Sequence, residues 1–175
     1  EIREREKELL VSSKGAHRVG GKGRGVNTVS LPEMQRGNVF LGLGTLMARI
    51  AHPTNDHEGY DGQEICYAAA RGQLSYYELL ESQGALRFLR DWEDVQEHVA
   101  EWEAYAAGQS TAVDGDGGGD GGAARDDAPP VGTVLAMEGA DPILSPEQVE
   151  EWWSRGLRMV SLAHYGRSSY ADGTG

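Results

Sequence analysis

The sequence is poor in cysteine, in basic residues and in long apolar runs. Cys66 is the only cysteine, so no intrachain disulfide can form and nothing marks an extracellular fold. No apolar run is long enough to span a membrane, and no signal peptide is recognisable. The 16 basic and 28 acidic residues give a formal charge of −12, which argues against nucleic acid and anionic membranes as partners. We therefore expect a cytoplasmic protein.

Two segments are too polar and too rich in glycine to join a core. Residues 1–26 mix charges with glycine, and the run Gly20–Gly25 lacks the strand and the Lys-Ser/Thr ending of a phosphate-binding loop. Residues 108–130 alternate aspartate with glycine but lack the glutamate and the spacing of an EF-hand. We predict a flexible N-terminal segment over 1–26 and a disordered insertion over 108–130.

The rest of the chain alternates apolar runs with helical patterns, which predicts an α/β fold. Strands are expected at 39–48 and 86–89. A helix is expected over 61–83, with its buried face formed by Ile65, Ala69, Gly72, Tyr76, Leu79 and Leu80. A second helix begins at Asp91, and its buried face is expected to hold Trp92, Val95, Val99, Trp102 and Ala106.

Several residues with reactive side chains have a structural interpretation. Cys66 stands in an apolar helical pattern and is expected to be a small core residue. His98 lies beside the aromatic stripe of the second helix and is expected to be structural. His52, Asp56 and His57 match no common zinc spacing, so a solvated loop is the better interpretation.

The stretch from Val134 to Gly166 organises the chain, because its pattern is strand, loop, helix, strand. Val134–Met137 is apolar throughout, as in a strand buried on both faces. Ser145 and Gln148 form a capping-box pattern around Pro146, and Gly156 is a C-terminal stop. Met159–Ala163 is the next strand.

A carboxylate and an imidazole follow these two strands. Glu138 directly follows the first and His164 follows the second. A strand, crossover helix and strand of this length form a right-handed parallel unit, so both residues leave the same edge of the sheet. That edge carries the chemistry in α/β sheets and barrels. By itself Glu138 has an equally good interpretation as a helix-cap or loop-fixing residue, and a lone histidine at a strand end is more often a hydrogen-bonding residue than a ligand. Both residues at one edge favour a functional site, but the pattern leaves the reaction unnamed.

The stretches Met137–Ile143 (MEGADPI) and Gly156–His164 (GLRMVSLAH) resemble the middle of the membrane (renal-type) dipeptidases. Asn27–Met34 (NTVSLPEM) and Gly37 resemble that family's entry to its second strand. The resemblance runs from about Asn27 to the C-terminus. It implies an incomplete (β/α)8 TIM barrel within one catalytic domain over 1–175, and a metal-dependent hydrolase that cleaves dipeptides.

The resemblance also implies roles for two residues. Glu138 matches the glutamate that bridges two zinc ions, which polarise the scissile carbonyl and generate a hydroxide. His164 matches the histidine that contacts the substrate and the developing oxyanion. The resemblance thus implies a dipeptide substrate and a zinc cofactor. A homodimer is a possible assembly.

The sequence departs from the family where most metal ligands should stand. It has no His-x-Asp, and it ends before the later zinc histidines and the basic residue that holds the substrate carboxylate. The chain begins with Glu1 rather than Met, so we expect a fragment that is inactive alone. One alternative is a non-catalytic α/β barrel relative that binds a ligand or a partner. Another is a different binuclear barrel amidohydrolase, although its lysine and histidine pattern is missing.

Overall fold

The computed structural model describes residues 29–51, 59–112, 128–164 and 166–173. The N-terminal segment 1–26 and the loop residues His52, Asp56 and His57 lie outside these ranges, so their predictions are not tested. Within them, no helix combines the length and the apolar composition needed to cross a membrane.

The described chain alternates helices and strands. In chain order the elements are α1 (Leu31–Arg36), β1 (Leu41–Met47), α2 (Gln63–Ser82), β2 (Leu86–Phe88), α3 (Trp92–Ala112), β3 (Val131–Glu138), a 3-10 turn (Pro146–Gln148), α4 (Val149–Ser154) and β4 (Leu157–Ser161). Helix α1 is not among the predicted elements; it begins at Ser30, whose hydroxyl accepts the Glu33 N–H at 3.4 Å.

All four strands are parallel, and β3 is the central one. Strand β1 pairs along one edge of β3 from Gly132 to Glu138. Strands β2 and β4 share the other edge, β2 along the first three residues of β3 and β4 along the last four. The predicted α/β class is confirmed, and the sheet that the described residues form is open.

One face of the sheet packs against α2 and α4. The core there consists of Leu46, Leu135, Met137 and Leu157 from the sheet, Cys66, Ala70, Leu74 and Leu80 from α2, and Trp152 from α4. Burying such a set of apolar side chains is the main favourable contribution to folding. Cys66 is fully buried, as predicted for a small core residue.

The predicted buried face of α2 is wrong at four of its six residues, one of which is the exposed Gly72. Ile65, Tyr76 and Leu79 are about half exposed, and the buried stripe runs through Cys66, Ala70, Leu74 and Leu80 instead. Hydrophobicity by itself cannot distinguish two adjacent apolar stripes on one helix.

Helix α3 begins where the sequence indicates but ends later. The Asp91 carboxylate accepts the Asp94 N–H at 2.9 Å, as an N-terminal cap does. Of the predicted buried face, Trp102 is buried, and Val95 and Val99 are partly buried. Trp92, which is 70% exposed, and Ala106 are exposed, so the prediction is wrong at these two residues. The helix continues to Ala112. Residues 108–112, which the sequence assigns to the disordered insertion, are therefore helical.

The last residues of the predicted insertion, Ala128 to Pro130, are hydrogen-bonded to other segments. Ala128 to Pro130 lead into β3, where the Pro129 carbonyl accepts the Gln35 amide at 2.9 Å and the Pro130 carbonyl accepts the Trp102 indole N–H at 3.1 Å. The remaining residues of the predicted insertion, 113–127, lie outside the described ranges.

Among the residues that the structure describes, those that pack on the opposite face of the sheet lie at the amino ends of its strands. There His98 packs so closely on Gly132 that a Cβ on this glycine would lie 2.5 Å from the imidazole Nε2. Towards the carboxyl ends the same face carries Leu43, Met47 and Met159, which are 57%, 42% and 49% exposed. Parallel sheets usually have both faces covered, so this exposed apolar surface is unusual.

Candidate functional site

Glu138 and His164 meet at the carboxyl edge of the sheet. Glu138 is the last residue of β3 and is in register with Ser161 of β4, three residues before His164. The His164 Nε2 lies 3.4 Å from the Glu138 Oε1, and the two side chains are 48% and 34% exposed. The structure therefore brings together the two residues that the sequence places at this edge.

The backbone after β3 turns sharply to leave this edge. Gly139 has φ +80°, a left-handed conformation that glycine adopts without steric cost. Its N–H donates to the Ser161 hydroxyl at 3.1 Å, and the next N–H, of Ala140, donates to the Leu162 carbonyl at 3.3 Å. These bonds extend the contact between the two strands beyond their ends, so the segment that carries His164 stays beside Glu138.

The pair lies in a shallow cleft with charged walls. Met47 and Arg49, at the end of β1, line one part of the cleft, and Arg167 and Ser168, in the loop after β4, line another. The Arg167 guanidinium pairs with Asp172 at 2.9 Å, in an ion pair that is largely exposed and therefore contributes little to stability. The carboxylates of Glu138 and Asp141 line the cleft as well, so its walls carry both signs of charge.

Asp141 is the most deeply buried charged group of the cleft. The residue is 1% exposed, yet both carboxylate oxygens accept backbone hydrogen bonds. Oδ2 accepts the Ile50 N–H at 3.0 Å, and Oδ1 accepts the Ser169 N–H at 2.8 Å. These bonds compensate the cost of burying a carboxylate, and they connect the segments that follow three different strands.

The Cys66 thiol lies in the core near this carboxylate. Burial raises the pKa of the thiol to about 11, and the negative charge of Asp141 acts in the same direction. Cys66 is therefore protonated at neutral pH and is not a nucleophile there.

The described residues do not fit a zinc site by themselves. Across the ranges that the structure describes, no three His, Cys, Asp or Glu side chains converge on one point. Asp141 already uses both oxygens for backbone N–H groups. Zinc in catalytic sites takes about three protein ligands, so Glu138 can be only one member of a larger set.

Sequence reasoning missed Asp141 as a member of the site. A signal was present, because the aspartate stands among Ala140, Pro142 and Ile143, and a charge in such an apolar stretch needs partners. The partners themselves, Ile50 and Ser169, are 91 and 28 positions away in the chain. No local pattern identifies them.

Comparison of the sequence with protein-family models finds no match, and comparison with curated proteins finds none either.

Proposed function

We propose that this chain carries the Glu138 and His164 part of the active site of a zinc-dependent dipeptidase of the membrane (renal-type) dipeptidase kind. The observation that carries the proposal is the 3.4 Å approach of the His164 Nε2 to the Glu138 Oε1 at the carboxyl edge of a parallel sheet. The sequence on both sides of the pair resembles that family, and the spacing of the two residues fits it.

We infer a (β/α)8 barrel as the complete fold from the family resemblance and from the parallel pairing of the strands. Within the described residues, β3 lies between β1 and β2, which is not the sequential strand order of such a barrel. His98 of α3 also packs on the sheet face that would point inward, so the barrel rests on the resemblance. Glu138 and His164 then stand at the barrel end where catalytic groups collect.

The two residues have different tasks in the proposed reaction. Glu138 would hold zinc together with ligands from outside the described ranges, and the metal would polarise the substrate carbonyl and activate a water. The His164 imidazole donates a hydrogen bond to the oxygen on which negative charge develops as the peptide carbonyl becomes tetrahedral. Its 48% exposed ring leaves room for a substrate beside Glu138.

The proposal is tested on the protein encoded by the complete open reading frame. We expect two zinc ions per chain and hydrolysis of unblocked dipeptides. The Glu138→Ala variant should lose both properties, whereas Glu78→Ala, which removes a surface ion pair with Arg155 at 3.5 Å, should keep them. Absence of hydrolysis with every dipeptide tested would contradict the proposal and favour a non-catalytic binding module.

A further inference from the structure

Asp141 lines the same cleft as Glu138 and His164, and the hydrolytic role proposed above gives it no task. Its carboxylate is 1% exposed, and a charge at such a site is tolerated only where donors surround it. The donors are the backbone N–H groups of Ile50 and Ser169. Ile50 follows β1 and Ser169 follows β4, while Asp141 itself follows β3. One side chain therefore connects the segments that follow three strands.

The loop after β4 is anchored on both sides of His164. The Ser168 hydroxyl donates to the Leu162 carbonyl at 2.6 Å, which closes a ring of hydrogen-bonded chain around the histidine. On the far side, the Asp141 carboxylate holds the Ser169 N–H, and the Tyr170 hydroxyl donates to the Ile143 carbonyl at 2.5 Å. The position of the imidazole therefore depends on how firmly this loop is held to the turn after β3.

The segment after β1 is anchored by the other carboxylate oxygen. Arg49 and Ala51, on either side of Ile50, exchange backbone hydrogen bonds with Tyr60, each at 2.8 Å. The Ile50 N–H points instead to Asp141, at 3.0 Å. The wall of the cleft that carries Arg49 is thus held against the same carboxylate as the wall that carries His164.

We propose that Asp141 is a positioning residue whose carboxylate holds the loops after β1 and β4 at a fixed separation and so keeps His164 opposite Glu138. The effect on catalysis rests on the proposed function, but the effect on geometry does not. Asn has almost the same shape as Asp but only one acceptor oxygen, so Asp141→Asn leaves one of the two backbone N–H groups facing an amide NH₂.

The test measures amide exchange and the His164 ring signals by NMR in the full chain. In Asp141→Asn, exchange at Ile50, Ser169 or both should accelerate about tenfold or more, and the His164 ring signals should shift. The control is Leu80→Ala, a core truncation on the far part of α2, where Leu80 is 7% exposed. That variant should accelerate exchange generally and leave the His164 signals in place.

A second pair of variants covers the case in which Asp141→Asn does not fold. Ser169→Pro removes the N–H that the carboxylate accepts, and Ser169→Ala keeps it. We expect Ser169→Pro to shift the His164 ring signals and to accelerate exchange at neighbouring amides, and Ser169→Ala to resemble the wild type. Unchanged His164 signals in both Asp141→Asn and Ser169→Pro would overturn the proposal.

Catalysis gives a separate readout. If the complete protein hydrolyses dipeptides, Asp141→Asn should lower kcat at unchanged zinc content, because Asp141 positions groups without binding the metal. Loss of zinc from Asp141→Asn would contradict a positioning role. If the wild type hydrolyses no dipeptide, the proposed function fails, and the NMR comparison still decides whether Asp141 positions His164.

Discussion

The His98 ring Nε2 lies 2.7 Å from the carbonyl oxygen of Phe40, a residue 58 positions earlier in the chain. The same carbonyl accepts the Gly132 N–H of β3 at 2.8 Å. The imidazole and β3 therefore share one backbone acceptor, directly before the first residue of β1. His98 is fully buried and stacks on the Phe40 ring at a centroid distance of 6.2 Å. It lies at the end of the sheet opposite Glu138 and His164.

Replacing His98 should destabilise the fold and leave the cleft chemistry unchanged. We expect His98→Ala to lower the free energy of unfolding by about 2–4 kcal/mol, because it empties a packed site and removes a buried hydrogen bond. The exposed neighbour Glu97 is the control, and Glu97→Ala should change stability by less than about 0.5 kcal/mol. Urea titration followed by circular dichroism measures both. Equal stability of the two variants would contradict a structural role for His98.

Two adjacent tryptophans should differ strongly in their effect on stability. Trp152 is fully buried against the edge of Tyr67, whereas Trp153 is 58% exposed beneath the Arg158 guanidinium. We expect Trp152→Ala to cost about 3–5 kcal/mol and Trp153→Ala less than about 1 kcal/mol. Similar midpoints in thermal unfolding would contradict this assignment of the faces of α4.

Trp152→Phe gives a finer test at the same position. The Trp152 Nε1 has no hydrogen-bond partner among the residues that the structure describes. Trp152→Phe therefore removes packing contacts but no hydrogen bond. Its loss of unfolding free energy should be well below that of Trp152→Ala. A cost for Trp152→Phe as large as that for Trp152→Ala would show that the indole N–H is satisfied in solution.

Cys66 should make stability fall at alkaline pH. Its pKa is about 11 in the folded chain, above the ordinary value of 9.0, because burial opposes the thiolate. Between these values the unfolded chain releases the proton and the folded chain keeps it, so the thiol's contribution to stability is present below about pH 9 and is lost as the pH rises. The difference in unfolding free energy between wild type and Cys66→Ala should shrink by at most about 2–3 kcal/mol from pH 8.5 to 11.

Thiol labelling gives an independent check of the same group. At pH 8 the native chain should react with a disulfide reagent far more slowly than the urea-unfolded chain, because Cys66 is both buried and protonated. Native labelling as fast as that of the unfolded chain would show that the thiol is accessible.

In the complete protein, Glu138 and His164 should fail in different ways when replaced. Glu138→Ala removes the carboxylate proposed to bridge two ions, so zinc content should fall below two per chain and activity should fall with it. His164→Ala removes the proposed transition-state contact but no proposed ligand, so both ions should stay and turnover should drop by about 10²–10³. Metal analysis and steady-state kinetics of both variants test these roles. Loss of zinc from His164→Ala would contradict the separate roles proposed for the two residues.

The strands and the edge that carries Glu138 and His164 could be predicted because their signals are local. Short apolar runs bounded by glycine or by polar residues locate β1 and β3 to within a few residues. Consecutive parallel strands joined by a helix are usually neighbours, and this tendency predicts that Glu138 is near His164. The tendency fails for β1 and β2, because β3 lies between them.

The buried face of α2 could not be predicted in the same way. Tyr76 and Leu79 are as hydrophobic as the residues that are buried, and only the position of the sheet decides which stripe turns inward. The buried stripe runs through Cys66, Ala70, Leu74 and Leu80, so it mixes small and large side chains, and side-chain size does not identify it either.

The amino-acid sequence by itself determined the α/β class, the order of the main elements and the common edge of Glu138 and His164, because each depends on neighbours within one strand–helix–strand unit. Only the tertiary structure decided that β2 and β4 share one edge of β3, that His98 closes the amino end of a sheet face, and that Asp141 accepts the N–H groups of Ile50 and Ser169. These contacts join residues far apart in the chain. A carboxylate or an imidazole in a sequence shows only that partners are needed, and the fold selects which backbone groups supply them.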